Sequence, residues 1–367
     1  MAEWHTLTIA NKSKHMNKKT ILSACFAALS CPIAFADSDN DHNPLYPDDH
    51  APIGVMGDHM HAAGEFMFSY RFMHMNMSGM VQGNKSISAS DIATSVANPF
   101  APPATVRVVP KDMTTNMHML GFMYAPNDNI TLMAMLNYIE RDMDLTTFQG
   151  MMGDTALGQF STEVSGLADS KLGLLYRLYD EGGHHLHFNL AWVIANGSTD
   201  ETDDVLTPMN MRMTMRLPYS MQLGSGSDQA EFGLTYTGKN EQLSWGAQAL
   251  TTTPLERNDE GYTVGDKYQM SSWLAYQLPQ STSVSLRLIY NHSEDIKGQD
   301  NQIMAPVTTA NPANYGGHNL QAAIGVNTVL MNKHRIGLEY QVPINYHANG
   351  IQMDMDNMLT LGYQLAF

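Results

Sequence analysis

The chain has 367 residues, with 20 Lys and Arg against 36 Asp and Glu and a net charge of −16 at pH 7. That sign is opposite to the basic footprint nucleic-acid binding requires, so nucleic acid is excluded as a partner. Both cysteines, Cys25 and Cys31, fall in the N-terminal segment described next, so the remainder supports no disulfide framework, thiolate zinc cluster or cysteine nucleophile.

Residues 1–36 read as a secretory signal peptide. Lys18 and Lys19 precede an uncharged run from Ile21 to Phe35, which ends in the cleavage pattern Ala34-Phe35-Ala36. The run is shorter than the ~20 apolar residues of a spanning helix. Met16-Asn17-Lys18-Lys19 is the compact basic start, so Met16 is the expected initiator. Leu22-Ser23-Ala24-Cys25 has the form of a lipoprotein box, but only Thr20 and Ile21 separate it from Lys19, and the spacing fails. Cleavage after Ala36 removes Lys12, Lys14, Lys18, Lys19 and Glu3, leaving 331 residues of net charge near −19. Residues 37–62 are polar with interspersed prolines and read as a periplasmic arm or a luminal plug. No later stretch is apolar enough for a transmembrane helix.

From residue 63 the period is two. Phe66, Phe68, Tyr70 and Phe72 oppose Met67, Ser69, Arg71 and Met73, and the run 114–125 alternates less cleanly. Ile130, Leu132, Ala134, Leu136 and Tyr138 oppose Thr131, Met133, Met135 and Asn137. Leu172, Leu174, Tyr176 and Leu178 follow, then Leu186, Phe188, Leu190, Trp192 and Ile194, then Phe232, Leu234 and Tyr236. The runs 241–252 and 267–278 are weaker. Val284/Leu286/Leu288/Tyr290, Leu320/Ala322/Ile324/Val326, Ile336/Leu338/Tyr340/Val342 and Leu359/Leu361/Tyr363/Leu365/Phe367 complete the series. That makes about twelve strands.

Short connections at 125–129, 180–183, 238–240, 279–281 and 330–333 alternate with long ones at 77–113, 143–166, 197–227, 253–266, 294–316 and 347–356. A soluble sandwich has no reason to segregate its loops by length, and it would hide its apolar face from water. The pattern predicts an all-β fold: a closed antiparallel transmembrane β-barrel over 63–367 in the bacterial outer membrane. Short periplasmic turns, long outer loops and both termini on the periplasmic side follow. Tyr124, Tyr236 and Tyr276 lie beside short turns and Tyr138, Trp192 and Tyr290 beside long ones, as two interfacial girdles require. Outer-membrane lipid is thus one partner. The alternation ending on Phe367 resembles the C-terminal signature of such barrels, which implies the barrel-assembly machinery as another.

Methionine is the unusual residue, 29 in all. Met67 and Met73, Met117 and Met119, and Met133 and Met135 fall opposite the apolar stripe, as do Arg71, Arg141, Lys171, Arg177, Arg287, Arg335 and Glu339. A charge facing lipid is costly, so these residues are the expected pore lining. The thioethers have three readings: adaptable filler, a polarizable path for an apolar or aromatic solute, or soft-metal ligands with Cu(I) as the candidate cofactor. For the metal reading the residues are Met209, Met211, Met213 and Met215 with His59, His61, His185 and His187. The functional readings are therefore a small-molecule channel, a copper or silver resistance protein, or a plugged structural barrel. Tyr346-His347-Ala348-Asn349-Gly350 is similar to the His-x-Ser-Asn-Gly motif of outer-membrane phospholipases, but Ala348 replaces the nucleophilic serine, so no enzyme is expected.

The stretch from His50-Ala51-Pro52-Ile53-Gly54-Val55-Met56-Gly57-Asp58-His59-Met60-His61 through Gly64-Glu65-Phe66-Met67-Phe68-Ser69-Tyr70-Arg71 resembles a group of transporter-like proteobacterial proteins. So does Leu217-Pro218-Tyr219-Ser220-Met221-Gln222-Leu223-Gly224-Ser225-Gly226. That group is similar to the family named for the meta-pathway of phenol degradation. The resemblance implies an outer-membrane barrel for aromatic compounds and supplies no catalytic residues.

Overall fold

The computed structural model describes residues 50–279, 281–331 and 333–367; the expected signal peptide and the first part of the expected arm lie outside the described residues. Strands β1 (Phe66–Gly83), β2 (Lys85–Ile87), β3 (Val108–Asn127), β4 (Ile130–Phe148), β5 (Ala156–Glu181) and β6 (His184–Ile194) come first. A helix α1 (Ala89–Ser95) lies between β2 and β3. Next are β7 (Thr202–Leu206), β8 (Arg212–Arg216), β9 (Gln229–Lys239), β10 (Leu243–Pro254), β11 (Tyr262–Thr263) and β12 (Lys267–Leu278). The series ends with β13 (Thr282–Ser293), β14 (Lys297–Gly298), β15 (Gly317–Leu330) and β16 (His334–Ala366).

Eleven of these elements close one antiparallel sheet in the order β16-β15-β13-β12-β10-β9-β6-β5-β4-β3-β1, with β16 returning to β1 and the short β2 appended to β1. A ring of antiparallel neighbours needs an even number of passes, and β16 supplies the extra one. Residues 334–348 pair with β15 and residues 348–366 with β1. Gly350 takes φ 63° at the point of return, and Ala366 N–H donates to Lys333 C=O at 3.3 Å. The described residues therefore make twelve passes in the wall.

Strand β4 shows why the residues face as they do. Its outward series runs Leu132, Ala134, Leu136, Tyr138 and then Glu140, Asp142, Asp144; Leu136 is 48% exposed. Lipid is the only medium in which the apolar half of that face is favourable. Beyond Tyr138 the face meets water and the polarity inverts, so the inward residues Ile139, Met143 and Leu145 become the buried ones.

This inversion corrects the expected loops. Strands β3, β4 and β5 continue well beyond the apolar band, so 143–166 is strand except near 149–155, and 347–356 is a tight reversal. Period two persists there, but water outside and a protein core within exchange the roles of the two faces. Above the band, α1, the 3₁₀ turn Tyr219–Met221 and the long loops fold inward over a core that includes Ile92, Val109, Met143, Leu217, Met221, Tyr262 and Ile303. That core caps the long-loop end.

Candidate functional site

The short-turn end is filled by residues 50–62, which lie against inward side chains from strands all round the ring. Ala51, Ile53 and Val55 are buried. Arg71 donates through Nε to Ile53 C=O at 3.0 Å, and Arg335 donates to Ala51 C=O. Gly57 C=O contacts His187 Nε2 at 2.9 Å and accepts from Asn189 at 3.1 Å, while Met56 C=O accepts from Gln248 at 2.9 Å. His61 N–H donates to Thr131 Oγ1 at 3.1 Å. Close fit sets the residue choice: a Cβ on Gly54 would strike Glu339 and Arg287, and one on Gly362 would strike Ile53.

Between this plug and the cap lies a cavity of about 340 Å³. Its two sides differ chemically. From β16 through β1 and β3 to β4 the inward side chains are largely thioethers in cross-strand register: Met358 opposite Met75, Met355 opposite Met77, Met77 opposite Met113, Met73 opposite Met117, and Met123 opposite Met133. Met73, Met75, Met133, Met355 and Met358 line the cavity itself. The rest of the ring offers amides and ion pairs. Lys171 Nζ lies 2.7 Å from Glu231 Oε2, and Arg287 NH2 lies 2.5 Å from Glu339 Oε1 with both partners buried. Gln248, Gln269, Asn291, Gln321 and Gln341 complete the polar half.

Inside the plug, His50, Asp58 and His59 converge. His59 Nδ1 is 3.0 Å from Asp58 Oδ1 and 3.3 Å from His50 Nδ1. Burial, then the neighbouring His59, hold the His50 imidazole well below its ordinary range. Burial alone would raise Asp58, but His59, through charge and hydrogen bond, together with Arg335 and His50 outweigh it and hold the carboxyl well below the usual range. His61 is pushed down to about 3 by burial, then by His59.

The residues singled out in the sequence distribute unevenly. Met67, Arg71, Met119, Met135, Arg287, Arg335 and Glu339 are buried within the ring. Met73 and Met133 line the cavity, and Met117 packs against the cap core. Lys171 lies in the cavity wall, and Arg141 donates to Gln222 C=O beneath the cap. Arg177 is instead at the short-turn rim, paired with Asp180, whose other oxygen holds His185 at 2.7 Å.

The candidate metal-binding thioethers and imidazoles lie in separate places. Met209, Met211, Met213 and Met215 belong to the β7–β8 hairpin, where the first three are about half exposed or more. That hairpin meets β4 at Thr147, whereas His61 meets it at Thr131. Sixteen residues of strand, ~50 Å, separate them. His187 is engaged by the plug backbone and His185 is exposed outside it. His50 and Asp58 were not singled out. The signal was present in Pro52, Gly54 and Gly57, which turn the chain so that residues 50 and 58 meet.

No family model matches the chain, and no curated protein matches it. The resemblance to the phenol meta-pathway family therefore rests on the stretches quoted above. Among solved structures, the chain is similar to the COG4313 outer membrane channel from Pseudomonas putida F1, at 14% identity and TM-score 0.56, covering 86% of this chain and 100% of that one. The fold is that of an outer-membrane β-barrel. Weaker likenesses are to the beta domain of the Bordetella autotransporter Brka, at 13% identity, TM-score 0.45 and coverage of 83% and 100%. The P. putida toluene transporter TodX matches at 11% identity, TM-score 0.44 and coverage of 83% and 90%.

Proposed function

We propose that this barrel is an outer-membrane channel for small solutes with an apolar or aromatic body and a polar group. The observation that carries the reading is the two-sided cavity. A thioether wall offers polarizable contact without hydrogen-bond demand, and the facing amides and ion pairs orient a single polar substituent. The cavity of about 340 Å³ falls in the range of small-ligand pockets. The role also agrees with that named for the COG4313 protein whose fold it shares. The plug favours a second reading, a structural barrel whose lumen stays filled.

One experiment separates the two. The full chain and a variant lacking residues 50–61 are reconstituted in liposomes, and uptake of phenol, toluene and arabinose is measured. A channel for aromatic solutes admits phenol through the intact chain in preference to arabinose, and the deletion admits all three. Absence of phenol uptake by the intact chain, with general leakage in the deletion, establishes the plugged barrel instead.

A further inference from the structure

We propose that the plug loop binds a divalent transition-metal ion between His50, Asp58 and His59. One ligand atom from each lies within 4.8 Å of the others. The individual separations are 3.0 Å from His59 Nδ1 to Asp58 Oδ1, 3.3 Å from His59 Nδ1 to His50 Nδ1, and 3.9 Å from His50 Nδ1 to Asp58 Oδ2. A metal bound to nitrogen and oxygen at ~2.0–2.1 Å in tetrahedral geometry spaces its ligand atoms about 3.3 Å apart, in the middle of that set.

Two further observations point the same way. First, hydrogen bonding alone leaves the trio undersupplied. A proton on His59 Nδ1 serves the carboxylate or the His50 nitrogen, whereas a cation serves all three. His59 Nε2 and His61 Nε2 are buried with no hydrogen-bond partner among the described residues, and the His61 ring packs 4.8 Å from that of His59. Second, the loop is already folded for chelation. Ala51 N–H donates to Asp58 Oδ2 at 2.9 Å, Val55 N–H donates to Pro52 C=O at 2.9 Å, and Gly57 takes φ 62°. Positions 50 and 58 are thereby held together before any ion arrives.

The surroundings choose the kind of ion. The guanidinium groups of Arg71 and Arg335 are bonded to the carbonyls of Ile53 and Ala51, so their positive charge opposes a hard cation held by electrostatics alone. Imidazole ligands instead favour zinc, copper(II) or nickel. Bound there, the ion would clip the ends of the 51–57 loop together inside the lumen.

The full chain, extracted from membranes in detergent, is equilibrated with Zn(II) and with Cu(II), and bound metal is measured by equilibrium dialysis. One equivalent is expected, and the Cu(II) form should show nitrogen coupling in its electron paramagnetic resonance spectrum. His59→Ala and Asp58→Asn should each weaken binding by about tenfold or more, while His185→Ala binds as wild type does. Heat-modifiable gel migration verifies that each barrel is folded. No stoichiometric metal, an unchanged affinity in His59→Ala, or Cu(II) without nitrogen coupling each overturns the site. Solute uptake is not read, so failure here leaves the channel proposal intact.

Discussion

Arginine placed on the outward face of β4 tests whether that face meets lipid. Tilted strands rising ~3.4 Å per residue advance about 2.6 Å per residue along the membrane normal. The eight steps from Ile130 to Tyr138 then cover about 21 Å, close to the ~25 Å apolar band of an outer-membrane barrel. Ala134 is therefore near the midplane. Its register neighbours are Phe122 and Leu172, which are 50% and 48% exposed. Ala134→Arg should cost ~2–4 kcal/mol, and Glu140→Arg, beyond the band, ~0–1 kcal/mol. Guanidinium unfolding in lipid vesicles, followed by tryptophan fluorescence, measures both. Equal costs at the two positions would refute the inside–outside assignment of the whole strand.

Four other outcomes follow from the same structure. Glu339→Ala leaves the buried Arg287 guanidinium without its carboxylate and should lose ~3–5 kcal/mol; the double change to Arg287→Met and Glu339→Leu should recover most of that in the same unfolding assay. Met73, Met133 and Met355 changed to Leu should each cost under ~1.5 kcal/mol but alter the preference of liposome uptake between phenol and toluene, since volume is kept and sulfur removed. The quadruple Leu variant at Met209, Met211, Met213 and Met215 should fold and bind copper as wild type does, because the hairpin stands apart from the imidazoles; loss of binding would restore the thioether reading. N-terminal sequencing of protein from membrane fractions should begin at Asp37.

The wall was legible because lipid imposes one rule on one face: Ile130 through Tyr138 announces both the strand and its depth. The same strand from Met143 to Phe148 lies inside the expected loop 143–166. Asp142, Asp144 and Thr146 take the outward positions there and the apolar residues Met143 and Leu145 the inward ones, so no outward apolar stripe marks the strand. The opposition of Met73 to Phe72 could be read from alternation alone. Its pairing with Met117 required knowing which strands are neighbours. The plug was less accessible still. Ala51, Ile53, Val55, Met56 and Gly57 are held through their carbonyls by Arg335, Arg71, Gln248, His187 and Asn189, side chains from four strands that converge only once the ring has closed.

The doubled-back β16 has a kinetic consequence. Its outer pass meets β1 with Met67 opposite Ala366, and Phe66 and Phe367 exchange backbone hydrogen bonds of 2.8 and 2.9 Å. These contacts join opposite ends of the barrel sequence, whereas β3–β4, β5–β6, β9–β10, β12–β13 and β15–β16 are hairpins closed by a few residues. Long loops are costly to close and slow to find, so hairpins can accumulate in order while the seam waits for all of them. Until it forms, β1 and the final pass each present a row of unpaired N–H and C=O groups, an open template for pairing with another chain. Folding intermediates should therefore be rich in strand yet prone to dimerise, and a single seam-closing step should set the rate at which monomeric, heat-modifiable barrel appears.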